Sequence, residues 1–293
     1  MRARIRDTEI YFDVEGASLV AGETGIVERP TAFLVHGGPG LDHTAGKARY
    51  QPLSRTMQLV YFDHRGQGRS ARGDVDKYVL DENVEDMEAL RRHLGLASIV
   101  SIGTSYGGMV AMAHAARYPQ SVSHLVLVAT AAHSGYVERA KEIVGNRGTL
   151  QQVAMCEDLF SGRIDTVEKF QLYISVMGSL YSRRPTQAAG TEHTRPILEP
   201  IALNKAHGPG GFLRTFDLRP SLRSITAHTL ILAARHDWIH APEFSEEICQ
   251  NIRGADLRIF ENSGHLIAAD EPQELVDIIA GFIVHQTEIK HVR

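Results

Sequence analysis

Residues 99–109 carry the pattern that points most directly to chemistry: an apolar run, then Gly103-Thr104-Ser105-Tyr106-Gly107, then a stretch of small residues including Val110, Ala111, Ala113, Ala115 and Ala116. Read as strand, sharp turn and helix, this is an elbow that presents Ser105 on a strained backbone, and the flanking glycines leave room for the turn. The hydroxyl would stand clear of a sheet edge at the positive end of a helix, placed to attack an acyl carbon. Gly-x-Ser-x-Gly by itself is a short pattern. The strand before it and the helix after it are what give it content.

A nucleophile of this kind needs donors for the oxyanion it creates. A second glycine-rich segment, His36-Gly37-Gly38-Pro39-Gly40, follows the apolar run Ala32–Val35. Such a loop could cradle a phosphate, make a plain tight turn, or offer a backbone N–H to an oxyanion. No Lys-Ser/Thr pair closes a phosphate loop here, and there is no Gly-x-Gly-x-x-Gly. The expected oxyanion donors are the N–H of Tyr106, directly after the nucleophile, and a loop N–H such as that of Gly38.

The serine also needs a base, and the base an orienting acid. The chain has 15 histidines, so position rather than type has to select among them. Asp237 follows the apolar run Leu230–Ala234, whereas Asp256 leads into a run instead of leaving one. His265 follows the run Leu257–Phe260 behind Gly264, which lets the loop bend. His236 and His240 lie too close to Asp237 in sequence to reach it across a sheet. Ser105, His265 and Asp237 then form the expected nucleophile, base and acid, gathered at the C-terminal edge of a parallel sheet. This chemistry calls for no metal and no cofactor. His36, His43, His64, His114, His124 and His133 show no His-x-x-x-His spacing that would suggest a metal site.

The elements that must hold these residues are legible as alternation. Apolar runs at Ala32–Val35, Leu59–Phe62, Ile99–Ile102, Leu125–Ala129, Leu230–Ala234 and Leu257–Phe260 read as strands buried on both faces of a parallel sheet. Helices are expected at Asn83–Leu94, Tyr106–Tyr118, Pro242–Ile252 and Pro272–His285, with Pro119 as a stop signal. The first 16 residues, with Ile5, Ile10, Phe12 and Val14 ending at Gly16, read as a hairpin arm. Between His133 and Ala227 the alternation breaks. Helical patterns at Glu138–Val144, Leu150–Leu159, Val167–Leu180 and Pro196–Ala206 follow one another with no strand run. The fold class expected is α/β: a mostly parallel sheet with helices on both faces and an inserted helical cap. Its core is residues 1–132 and 228–293, and its cap 133–227.

Composition narrows the partners. The 293 residues carry 31 basic and 35 acidic side chains, a net charge of −4, which argues against a nucleic-acid partner. Cys156 and Cys249 form no disulfide framework. No stretch approaches the roughly 18 continuous apolar residues of a membrane span, and Met1–Asp7 has no apolar region behind its basic residues. A cytoplasmic protein acting on a small molecule or short peptide is the expectation.

With these motifs in place, the chain resembles the α/β-hydrolase superfamily over nearly its whole length, and within it the proline iminopeptidase group. Three segments carry the resemblance: His36-Gly37-Gly38-Pro39-Gly40, Asp63-His64-Arg65-Gly66-Gln67-Gly68-Arg69-Ser70, and the elbow around Ser105. It implies Ser105, Asp237 and His265 as the triad, Gly38 and Tyr106 as oxyanion donors, and a loop-bracing role for Arg65. It also implies an aminopeptidase or amidase whose cap holds the substrate ammonium with acidic side chains. Glu157, Asp158, Asp165, Glu168, Glu192 and Asp217 are acidic candidates in the cap, each equally readable as a solvated helix charge. The chain departs from the group at Thr104, at Leu41-Asp42-His43, and in having its single tryptophan, Trp238, beside the acid. An ester or lactone hydrolase with an apolar cap pocket is the alternative expectation, followed by a ligand receptor of low turnover on the same fold.

Overall fold

The computed structural model describes residues 1–23, 25–184 and 196–291, with side chains to residue 284. Its strands are β1 (Arg2–Ile5), β2 (Thr8–Glu15), β3 (Leu19–Gly22), β4 (Gly25–Glu28), β5 (Thr31–Val35), β6 (Gln58–Phe62), β7 (Ile99–Thr104), β8 (Val122–Val128), β9 (His228–Ala234) and β10 (Asp256–Phe260). Eight of them form one sheet in the order β1-β2-β6-β5-β7-β8-β9-β10. The β1–β2 and β2–β6 pairs are antiparallel and the rest parallel.

The strand runs are continuous because both sheet faces are covered. Along β5, Phe33 and Val35 enter one core while Ala32 and Leu34 enter the other. On β8, Leu125 and Leu127 alternate with Val126 and Val128 in the same way. Helices α2 (Leu80–His93), α3 (Tyr106–Arg117) and α8 (Pro242–Asn251) supply the first core with Val84, Met87, Met109, Met112 and Ile248. Helices α1 (Lys47–Tyr50) and α10 (Pro272–His291) supply the second with Tyr50, Leu275 and Ile279. Short α9 (Ile267–Asp270) precedes α10.

Five of the six expected strand runs fall within β5, β6, β7, β9 and β10, and Leu125–Ala129 overruns the end of β8 by one residue. The hairpin β3–β4 has no counterpart in the sequence reading, because its strands are almost wholly exposed and so show no polar–apolar alternation. Between β8 and β9 lie α4 (Tyr136–Arg147), α5 (Leu150–Phe160), α6 (Val167–Tyr181) and α7 (Pro200–His207), with one isolated bridge from His133 to Asp217. The last of these starts at Pro200 rather than Pro196, since Pro200 occupies the first helical position, where no N–H is needed. Among the described residues, no helix is long and apolar enough to cross a membrane.

The loops after β5 and β6 are joined by buried carboxylates. Asp63 accepts from the backbone N–H and Nδ1 of His43 (2.9 and 2.6 Å) and from the backbone N–H of Arg69 (2.8 Å). Asp42 accepts from Thr44, from Arg69 Nη1 (3.0 Å) and, across to the helical insert, from the N–H of Ile197 (2.9 Å). Arg65 makes a two-pronged bond to Asp86 on α2 (2.6 and 2.7 Å) and reaches Asp7 between β1 and β2 (3.2 Å).

Burial pushes the Asp63 carboxyl up, but the His43 hydrogen bond and the neighbouring His36 and His43 imidazoles outweigh it and hold it at about 2, below the ordinary 3.8. A depressed carboxyl stabilises the fold above its unfolded value, and that stability is lost as pH falls toward the folded value. Urea unfolding across this range should show wild type losing about 2 kcal/mol more than Asp63→Asn between pH 4 and pH 2.

Candidate active site

Ser105 sits between β7 and α3 at φ 56° and ψ −123°, a backbone conformation costly for a residue with a Cβ. Its surroundings impose it. The Ser105 N–H donates to Val128 O (2.9 Å), and its carbonyl accepts from the Gly108 N–H (2.9 Å) and from Thr130 Oγ1 (2.7 Å). The two elbow glycines are required by close approach. A Cβ on Gly103 would lie 2.4 Å from the Gly107 carbonyl oxygen, and one on Gly107 would lie 2.0 Å from Val35 O. Only without these side chains can the start of α3 pack onto the ends of β7 and β5.

The glycine-rich loop lies directly over the nucleophile: a Cβ on Gly37 would be 3.2 Å from Ser105 Cβ. The Gly40 N–H donates to Gln67 Oε1 (2.7 Å), and its carbonyl accepts from the Glu199 N–H (2.9 Å), which fixes the far end of the loop. Tyr106 opens α3, so its N–H has no partner within the helix. Its ring is buried, and its hydroxyl accepts from Asn83 Nδ2 (2.6 Å).

Asp237 and His265 come from the loops after β9 and β10, which are joined by a bond from the His236 N–H to Ser263 O (3.0 Å). Asp237 Oδ2 lies 2.7 Å from His265 Nδ1, and both side chains are buried. The other carboxylate oxygen accepts from the N–H groups of Ile239 (2.9 Å) and His240 (3.0 Å). A carboxylate on Nδ1 assigns the proton to that nitrogen and leaves Nε2 as the acceptor of the ring. Among the described hydrogen bonds none joins Ser105 Oγ to His265; in unliganded enzymes such contacts are often long and tighten when substrate binds.

Aromatic and imidazole rings that the sequence reading did not assign surround this pair. Tyr181 stands edge-on to His265 (ring centroids 5.4 Å apart) and to Trp238 (5.3 Å), and its hydroxyl bonds that of Tyr173 (2.6 Å). His240 lies 5.3 Å from His265 and 4.6 Å from Tyr136, with Nδ1 2.9 Å from Ala129 O. Burial, with His265 nearby, lowers His240 to about 4, so the ring is neutral at ordinary pH. Burial likewise takes His207 to about 3. Tyr136, Tyr173, Tyr181 and His207 come from helices whose spacing says which face is apolar, but not which apolar face meets the catalytic edge.

The cap acids weighed from sequence are paired at the surface instead. Glu157 meets Lys141, Asp158 meets Arg163, Asp165 meets Lys169, and Asp217 meets Arg219. Glu168 is exposed, and Glu192 lies outside the described residues. Among the described residues, two groups have potential metal-ligand atoms close together: Asp237, His240 and His265, and Asp42, His43 and Asp63. In both, the carboxylates already accept from N–H donors, which a cation would have to displace.

The α/β-hydrolase fold family model matches residues 31–153. A proline iminopeptidase, PfmaB, of Pestalotiopsis fici is 28% identical over 268 residues, covering 89% of this chain and 94% of its own length. Among solved structures, the proline iminopeptidase of Mycobacterium smegmatis superposes with a TM-score of 0.75 at 19% identity, covering 99% of both chains. An esterase from Exiguobacterium antarcticum gives 0.69 at 22% identity, covering 96% of this chain and 98% of its own. The chain has the α/β-hydrolase fold, and its sequence is similar to enzymes of that fold. Among them it is proline iminopeptidase-like.

The approach of Val35 O to Gly107 makes this elbow intolerant of a single added methyl. Gly107→Ala should lower the unfolding free energy by about 3 kcal/mol or more, read by equilibrium urea denaturation.

Proposed function

We propose that Ser105, His265 and Asp237 are the triad of a serine hydrolase, and that residues 133–227 form its cap over a core of 1–132 and 228–293. The observation that carries the reading is the 2.7 Å Asp237–His265 contact at the sheet edge that also bears the strained Ser105. His265 Nε2 takes the Ser105 proton as Oγ bonds to the substrate carbonyl carbon. The N–H groups of Gly38 and Tyr106 stabilise the resulting oxyanion. His265 then gives the proton to the leaving group, the carbonyl–leaving-group bond breaks, and an acyl-enzyme remains. Water, deprotonated by His265, releases the acid and restores Ser105. Asp237 holds the imidazole tautomer and stabilises the imidazolium.

The substrate reading is a small amide of the proline iminopeptidase type, with an N-terminal residue as the acyl group. Its support is the kinship to enzymes that carry that name. A second reading, a neutral ester or lactone, is favoured by one observation. Glu157, Asp158, Asp165 and Asp217 are all engaged by surface cations, while the rings against His265 are the Tyr181 phenol and the neutral His240 imidazole. A panel of free-amine aminoacyl arylamides, their N-acylated forms and short-chain esters separates the two. Turnover of the free-amine arylamides alone supports the first reading. Equal turnover of the blocked forms, or turnover of esters only, transfers the assignment to the second.

On whichever substrate is turned over, Ser105→Ala should lower kcat by about 10⁴-fold or more with the circular dichroism spectrum unchanged. Retained turnover would place the chemistry elsewhere.

A further inference from the structure

Asp270 ends α9, five residues beyond His265, and has no part in the chemistry above. Its side chain is buried, and its carboxylate gathers four donors. They are the Gly264 N–H (2.8 Å), Ser182 Oγ (2.5 Å), the Arg183 N–H (3.0 Å) and the Arg184 N–H (3.1 Å).

The origin of these donors is informative. Gly264 is the residue immediately before His265. Residues 182–184 are the segment leaving α6, whose last residue is Tyr181. The Tyr181 carbonyl accepts from the N–H of Leu266 (2.9 Å), the residue immediately after His265. The residues on both sides of His265 are therefore held: Gly264 by Asp270 directly, Leu266 by a residue whose following segment Asp270 also holds. The fit is close, since a Cβ on Gly264 would lie 2.8 Å from the Tyr181 carbonyl oxygen, and the Tyr181 ring stands edge-on to the imidazole. An ionised carboxylate only accepts, which suits four converging donors; an amide of the same shape would bring two N–H groups of its own.

We propose that Asp270 is a positioning residue for His265, joining the base-bearing loop and the end of α6 into one unit. The proposal rests on His265 being the general base. Movement of α6 then moves the imidazole with it. Loss of the carboxylate misplaces the base relative to Ser105 without removing any group that binds substrate, so it acts on kcat rather than KM.

The test compares wild type, Asp270→Asn and Ser182→Ala. It measures hydrolysis of 4-nitrophenyl acetate and the rate at which a fluorophosphonate probe labels Ser105, with folding checked by near-UV circular dichroism and urea unfolding. Asp270→Asn should lose about 10- to 100-fold in kcat with KM within about twofold, and labelling should slow in proportion. Ser182→Ala keeps the Gly264 bond and loses one donor on the α6 side, so its kcat and labelling should fall by a smaller factor. A folded Asp270→Asn with wild-type kcat and labelling would overturn the proposal. If that variant does not fold, Ser182→Ala decides, and unchanged kcat and labelling overturn it. Wild-type protein that neither hydrolyses the ester nor labels at Ser105 is a different result: it removes the hydrolase reading and the role of Asp270 with it.

Discussion

A serine at φ 56° does not stay there by its own preference; the surrounding structure must hold it. Here the hold is the packing of three strand ends against the first turn of one helix. Val35 O approaches where a Gly107 Cβ would be, the Gly103 and Gly107 backbones touch, and Val128 and Thr130 bind the Ser105 peptide. Other features of the site follow from this contact. The loop leaving β5 must run over Ser105, because β5 ends against α3. The N–H of Tyr106 is free because it opens that helix.

The remaining site residues are carried by loops, and loops need outside support to hold a geometry. Buried carboxylates supply much of it. Asp63 and Asp42 join the loops after β5 and β6, and Asp42 reaches on to Ile197 beyond the sheet. On the opposite side, Asp270 gathers the loop before His265 and the end of α6. Each takes mainly N–H donors from segments with no regular partner, where an uncharged acceptor would make weaker bonds. The insert between β8 and β9 is thus bonded at both Ile197 and Arg183 to loops that bear the expected oxyanion donor and base.

The environment of His265 differs from that of a site built around a cation. Tyr181 and His240 stand against it, backed in turn by Trp238 and Tyr136, and burial keeps His240 neutral. In so dry a setting an unpaired charge is unfavourable and a directed hydrogen bond counts for more. Asp237 is tolerated because both its oxygens are engaged.

Much of the core was readable from the chain alone, for a definite reason. Strands buried on both faces need continuous apolar runs, and a sharp strand-to-helix turn needs glycines on either side of its serine, so β5 to β10 and Ser105 leave local signatures. Asp237 and His265 were reachable because each follows such a run. The exposed hairpin β3–β4 left no pattern, since nothing in it is buried. Only the tertiary structure brought Asp237 to within 2.7 Å of His265, drew Tyr181 and His240 to the imidazole, and placed Gly264 and Arg183 on one carboxylate. These contacts join residues up to 87 positions apart, as from Arg183 to Asp270. Periodicity records which face of a segment is buried, and is silent on which other segment buries it.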